Sequence, residues 1–586
     1  MKLAAAGFAL ALAFCAGAVG SVPRAPSAPT GLRAFVYRAN ESVKADHTYS
    51  MMPAFSWSPV RGADVHYELQ IATSKAFVDS TSIYDDPNLV VPVASIQRQV
   101  PWMTGRPYAL WARVRVVKDG RTSTWSTPFG FNTAWQQIPQ QLSSPNGLIR
   151  WSTVDGATAY QVLYMGLPQG YQSLFTTFTN VADEREYWTF HPAAAATIHW
   201  RVRAVRLVQS VSLSDGIAVA QYGPYSPVFT TTNNTAISTT TPLQAVDSIS
   251  NVESTPTAPQ AHQLTPGFSW TGSEGVFGEG GGSQLWRVYV FTDKQCINPV
   301  MTSSLLGGPA WAPRDTDPLA MPETLQDLQD ANNGKFLKYT TTQSPVFEAD
   351  GTTPTDSEEG GSAASGSPGS GSSGSGSTGS SGPTGASGSG GGASGAPAVR
   401  PDSLPDIGWP HGRYWWTVVP VAIVQVVTQG SGSNAQGSPE LEYHDMELPQ
   451  DACAAGHVWQ FGMQSVPLTT TSNTPFASGV VAGMRVVTAD HHAPGFLELP
   501  LVTWKPALGA QSYEIQMSRK LYPWKTARSQ ASVVNSAVLN LSKSDIGTWY
   551  YRIRGVNPNL VGPAQKMAWS VPVEIRITGD RFSVVK

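Results

Sequence analysis

Along this chain apolar and polar positions alternate with a period of two, in short runs that return in a fixed order. Tyr67, Leu69 and Ile71 alternate with Glu68 and Gln70, the pattern of a strand with one buried face. Downstream, Ala112, Val114 and Val116 alternate with Trp111, Arg113 and Arg115, so the first set is expected to face in and the second out. The pair returns as Tyr160-Gln161-Val162 with His199-Trp200-Arg201-Val202-Arg203-Ala204. It returns again as Tyr513-Glu514-Ile515-Gln516-Met517 with Tyr550-Tyr551-Arg552-Ile553-Arg554-Gly555. A looser copy joins Trp286-Arg287-Val288-Tyr289-Val290 to Trp415-Trp416-Thr417-Val418-Val419-Pro420. Ahead of each first run stands an apolar strand carrying Trp57, Trp151, Trp270 or Trp504. Gly-Ala turns follow at Gly62-Ala63, Gly156-Ala157 and Gly509-Ala510. An aromatic-Ser element closes the copies at Trp125-Ser126, Tyr225-Ser226 and Trp569-Ser570. Ordered landmarks at domain-sized spacing predict an array of like all-β modules.

At 586 residues the chain is too long for one core, and ~150 residues per domain gives about four. The landmarks place modules at 25–133, 134–231, 240–450 and 456–577. Gly, Pro, Asn and Ser punctuate the runs, and only 323–332 hints at a short helix. The third module is aberrant. Its first turn is swollen by 272–283, and inside an insertion at 351–400 residues 360–396 are almost pure Ser and Gly. Such a tract buries too little apolar surface to offset its ordering entropy. It is read as a loop within the module, because Trp270 and Trp286 precede it and Tyr414-Trp415-Trp416 follow, each side holding half of the repeat.

Charged residues are 13 % of the chain and aromatics 10 %, against roughly 25 % charged in ordinary soluble domains. A net charge of -3 offers no broad field for nucleic acid or an anionic membrane. Residues 1–20 read as an export signal, with Lys2, an apolar run over 3–19 and Ala16-Gly17-Ala18 as a cleavage site. A competing lipoprotein reading at Leu12-Ala13-Phe14-Cys15 meets the bulky Phe14. No later segment is long and apolar enough to span a bilayer. Losing Cys15 with the signal leaves Cys296 and Cys453, which flank the third repeat and are expected to pair in an oxidising compartment. Two buried free thiols are the alternative.

Short strands, a core Trp on an early strand and an aromatic-led late strand across it describe an antiparallel β-sandwich. Here the residues resemble the fibronectin type III family in its bacterial extracellular versions. The resemblance rests on Trp57, Trp151, Trp270 and Trp504, on Tyr67, Tyr160 and Tyr513, and on the Arg-Val-Arg strands. It spans most of 25–577 and is weakest in the third repeat, where Thr417 and Val419 stand in place of Arg. It implies tandem fibronectin-III/Ig-like sandwiches and an extracellular spacer or adhesive role, with no catalytic residues to carry over. Each Trp is then the buried pivot of its own sandwich, packed on Val114, Val202, Val418 or Ile553.

Motifs for nucleophilic catalysis, phosphate binding or metal-dependent hydrolysis do not stand in a fitting context. Asp490-His491-His492 is a clustered pair of His on an extended loop, His191 is a second-repeat His, and His199 is expected on an outward face. The outward arginines suggest a basic stripe or, more simply, stems laid over neighbouring aromatics. Trp102, Trp188, Trp311, Trp524 and Trp549 are the candidate ligand-contact aromatics, with Trp135, Tyr187 and Tyr522-Pro523 beside them. The expected function is a secreted or cell-surface, non-catalytic scaffold that binds an extracellular protein or glycan without a cofactor. The alternative is a carbohydrate-binding accessory protein using those aromatics. A catalytic role is the third reading and has least behind it.

Overall fold

The computed structural model describes residues 25–36, 47–60, 65–98, 100, 104–145, 147–165, 173–183, 196–209, 218–233, 244–250, 252–255, 257–271, 285–297, 299–313, 412–427, 439–464, 468–469, 486–489, 493–496, 499–542, 544–557 and 566–577. Their regular structure is all strand except a short helix, Pro449–Ala454, and a turn of 3-10 helix, Asp79–Thr81. The fold is all-β, a tandem series of mainly antiparallel β-sandwiches. Residues 1–20, 272–283, 323–332, 351–400 and Asp490-His491-His492 lie outside the described residues.

Each sequence repeat supplies a short sheet and a longer one. In the first, Arg33–Phe35, Ala54–Ser56 and Val93–Ala94 form the short sheet. Its long sheet runs Thr48–Tyr49, Phe129–Thr133, Tyr108–Lys118, His66–Ala72 and Ser82–Leu89. Pairing register turns the period of two into layers. Leu69 lies opposite Val114 and Ile71 opposite Ala112, while Glu68 meets Arg115 and Gln70 meets Arg113 on the other face. The second and fourth repeats keep this register, with Val162 opposite Val202 and Ile515 opposite Ile553. In the third, Val288 lies opposite Val418.

Trp57, Trp151, Trp270 and Trp504 are all buried, each in one core cluster with Val114, Val202, Val418 or Ile553 respectively. Three of them meet the aromatic that opens the next strand edge to face: Trp57 on Tyr67, Trp151 on Tyr160 and Trp504 on Tyr513, at 5.1 to 5.5 Å between rings. That aromatic is Tyr for a reason. Its hydroxyl accepts the backbone N–H of Val60, Val154 or Ala507, tying the intervening turn to the strand. In the third repeat Trp286 takes the place, also meeting its Trp edge to face but without a hydroxyl to hold a turn.

The third repeat also ends later than expected. Trp459–Met463, assigned to the fourth repeat by a boundary at 456, pairs antiparallel with Gly412–Val427 and parallel with Ala261–His262. Phe129–Thr133 does the same in the first repeat, against Tyr108–Lys118 and Thr48–Tyr49. Pairing across the sheet, not the Gly456 turn, sets the limit, and the fourth repeat begins with Leu468–Thr469.

The repeats pack closely on one another. Leu148 and Val181 of the second share a cluster with Ala310 and Ala312 of the third, and the backbone N–H of Ala312 donates to buried Asp183 at 2.8 Å. Ala54, Val91 and Val93 of the first lie in the core of the fourth, where Ser95 donates to the Ser536 carbonyl at 2.8 Å. Arg206 of the second repeat, 3 % exposed, donates to the carbonyls of Gly156 and Ser50 and stacks on Trp135. The Gly509 N–H donates to the Ala157 carbonyl, joining the Gly-Ala turns of the second and fourth repeats. The short sheets thus meet in two matched pairs, second on third and fourth on first.

Candidate functional site

The outward arginines form ladders with aromatic rungs. In the first repeat Arg113 lies between Phe77 and Trp125, at 4.2 and 4.1 Å from the ring centroids, and Arg115 sits over the same Trp125. In the second, Arg201 and Arg203 stack on Tyr225, and Arg203 also on Tyr222. In the fourth, Arg552 lies between Trp524 and Trp569, and Arg554 over Trp569. Five of these six guanidinium groups find an in-register oxygen on the neighbouring strand, and Arg201, opposite Leu163, does not. Arg113, Arg203 and Arg552 donate to Gln70, Gln161 and Gln516, while Arg115 and Arg554 pair with Glu68 and Glu514. Burial pulls the guanidinium pKa of Arg113, Arg201 and Arg552 downward.

The closing Ser is the other half of this device. Ser126, Ser226 and Ser570 accept the backbone N–H of Val114, Val202 and Ile553 at 3.0 Å. This places the preceding Trp125, Tyr225 or Trp569 under the arginines. Cation–π stacking with planar hydrogen bonds holds the outer face rigid. A basic stripe open to ligands is not what these arginines make.

The candidate aromatics divide. Trp102 and Trp188 lie outside the described residues, as do Tyr187 and His191. Trp311 is fully buried in the third core, stacked on Phe268 at 5.5 Å, and Trp135 is fully buried at the first–second junction. Trp549 is 4 % exposed, its indole N–H donates to the Asp545 carbonyl, and Arg519 and Arg528 cover its ring. A ligand meeting Trp311, Trp135 or Trp549 would first have to unpack them. Trp524 is half-buried, with Arg552 over its ring. His199 is exposed beside Thr230, as its strand position predicts.

Open apolar surface gathers instead at the tip of the fourth repeat's hairpin, between Ser512–Ser518 and Arg528–Ser532. There Leu521 is 55 % and Tyr522 82 % exposed, and neighbouring Ile546 is 56 % exposed. Sequence reading named Tyr522 and missed Leu521 and Ile546, because an isolated aliphatic carries no period. The Cys296–Cys453 disulfide is present and ties the turn after the strand Leu285–Phe291 to the helix Pro449–Ala454. Both sulfurs pack with Phe291, Tyr289 and Val458.

Among the described residues, no group of three or more metal-ligating side chains converges, and no helix is long and apolar enough to cross a membrane. No family model matches the chain, and no curated protein does. Among solved structures, the chicken interferon gamma receptor alpha chain is 10 % identical, with a TM-score of 0.16, over 35 % of this chain and 98 % of its own. The FN1-FN3 domains of chicken CNTN1 are 13 % identical, with a TM-score of 0.15, over 36 % of this chain and 69 % of theirs.

Proposed function

We propose that the chain is an exported, non-catalytic scaffold that spaces or presents a binding surface on the extracellular side, for a protein or glycan ligand. The observation that carries this reading is the packing between repeats. Buried polar contacts at Asn180, Asn535 and Arg206 join successive and distant repeats, which suits load-bearing or presentation. The Cys296–Cys453 bridge supports export, since such bonds persist in oxidising compartments. Side chains with chemical potential are engaged in structure: Glu68 and Glu514 by arginines, Asp445 by Arg287 and Tyr289, and His262 by two serines.

The test is fractionation of cells expressing the tagged full chain, with protease added to intact cells. The expected result is a chain outside the cytoplasm, sensitive to external protease, with Cys296 and Cys453 joined. A chain held inside with both thiols reduced overturns the proposal.

A further inference from the structure

The hairpin tip of the fourth repeat is built in two tiers. Its base is locked: Asp545 accepts from Arg528 at 2.6 Å and lies 3.7 Å from Arg519, while both arginines stack on Trp549. Arg519 also donates to the Ile546 carbonyl at 2.6 Å, bringing Ile546 to the same end of the sandwich. Hydrogen bonding to Arg528 holds the Asp545 carboxyl far below the usual carboxylate range, so this clasp persists at any ordinary pH. On this base stand Leu521, Tyr522 and Pro523, all exposed, with Lys520 and Lys525 exposed on either side.

Residues 519–528 hold Arg519, Lys520, Lys525 and Arg528 and no acidic residue. Counting the one carboxylate at their base, Asp545, the tip keeps a surplus of positive charge in a chain whose net charge is -3. Among the described residues no carboxylate pairs with Lys520 or Lys525.

From this we propose that the tip is a membrane-docking loop for a surface containing anionic lipid, a role that rests on the reading above only for which membrane it meets. Leu521 and Ile546 are aliphatic and suit the acyl boundary, Tyr522 suits the headgroup level, and the flanking lysines suit lipid phosphates. A sugar ring would stack on Tyr522 but gains little from Leu521 and Ile546. A protein partner needs roughly 800 Å² of matched surface on its side, whereas a bilayer accepts a few side chains from a protruding tip. The braced base keeps those side chains outward before contact, so little ordering entropy is lost on docking.

The experiment is co-sedimentation of the purified full chain with vesicles of phosphatidylcholine alone and of phosphatidylcholine mixed equally with phosphatidylglycerol. Binding is expected only to the mixed vesicles. It should fall about fivefold for each lysine removed in Lys520→Gln and Lys525→Gln, since each contributes about one factor of that size near an anionic surface. Leu521→Ser with Tyr522→Ser should abolish what remains, with the melting temperature unchanged because both side chains are exposed. Absence of binding to mixed vesicles, equal binding to both vesicle types, or variants that bind like the parent overturns the proposal. Vesicle binding is read on purified protein, so its failure is separate from failure of export.

Discussion

Asn180 and Asn535 make the same two hydrogen bonds at two separate places in the molecule. Each is buried, and each side-chain amide donates to the carbonyl of its own core Trp: Asn180 to Trp151 at 2.7 Å and Asn535 to Trp504 at 2.9 Å. Each donates again, at 3.3 Å, to a carbonyl in a different repeat, Ser250 for Asn180 and Val36 for Asn535. The second repeat is therefore keyed to the third as the fourth is keyed to the first.

Replacing either Asn by Ala leaves two carbonyls without that donor, one in the core strand and one across the interface. The expected cost is about 1 to 3 kcal/mol for each variant. The two sites lie in different interfaces with no shared partner, so the double variant should show the sum of the single losses. Chemical denaturation of the three variants reads this directly. Exposed-site losses of a few tenths of a kcal/mol would mean that neither amide keys an interface.

His262 gives the third repeat an acid sensitivity. It is fully buried, its two ring nitrogens lie 3.0 Å from Ser248 and Ser250, and its ring faces Phe461. Burial, and secondarily the charge of Arg150, lower its pKa from 6.5 to about 3. The unfolded chain then takes up the proton first as pH falls. Stability is complete above pH 6.5 and is lost as pH falls from there towards 3, at no more than about 1.4 kcal/mol per unit. Denaturation midpoints between pH 7 and pH 4 should show this slope, and His262→Gln should flatten it. An unchanged slope in the variant would assign the sensitivity elsewhere.

The disulfide closes a separation of 157 residues. By the chain-entropy relation, removing it should destabilise the third repeat by up to about 5 kcal/mol. Cys296→Ser with Cys453→Ser should lower the unfolding transition that carries Trp270 and Trp416 more than any other, followed by amide exchange in Leu285–Phe291. Equal losses in all repeats would mean that the bridge constrains more than its own sandwich.

Much of this architecture is local in the chain and so could be read from it. The period of two at Tyr67, Leu69 and Ile71 fixes which side chains face in, and the Arg-Val-Arg runs place arginines above the closing aromatics. What escaped reading depends on distant pairing. Trp459–Met463 resembles the start of a new repeat until its partner, Gly412–Val427, is known. Trp311 and Trp549 stand at strand ends, where an indole that plugs a core and one that meets a ligand have the same sequence neighbours. Asn180 and Asn535 each precede a strand that pairs with a Trp strand, but their second hydrogen bonds lie in other repeats, and no local pattern marks them.

Read from the sequence, each core tryptophan is the pivot of its own sandwich and private to its repeat. The structure links them differently. Trp57 and Trp151 belong to one continuous core that also includes Val534 of the fourth repeat, whereas Trp270 lies in a cluster whose members come from the third repeat, with Phe178 packed against it. Trp57→Ala should cost ~3 to 5 kcal/mol through the cavity it opens. That loss should spread into the second repeat, lowering amide protection in Ala196–Gln209 as well as in Tyr108–Lys118. Trp270→Ala should lower protection in Gly412–Val427 and leave Tyr108–Lys118 as it was. Calorimetry should accordingly resolve fewer transitions than there are repeats, because the first and second unfold together. If Trp57→Ala left exchange in Ala196–Gln209 unchanged, the shared core would be a contact without energetic coupling, and the repeats would be independent units after all.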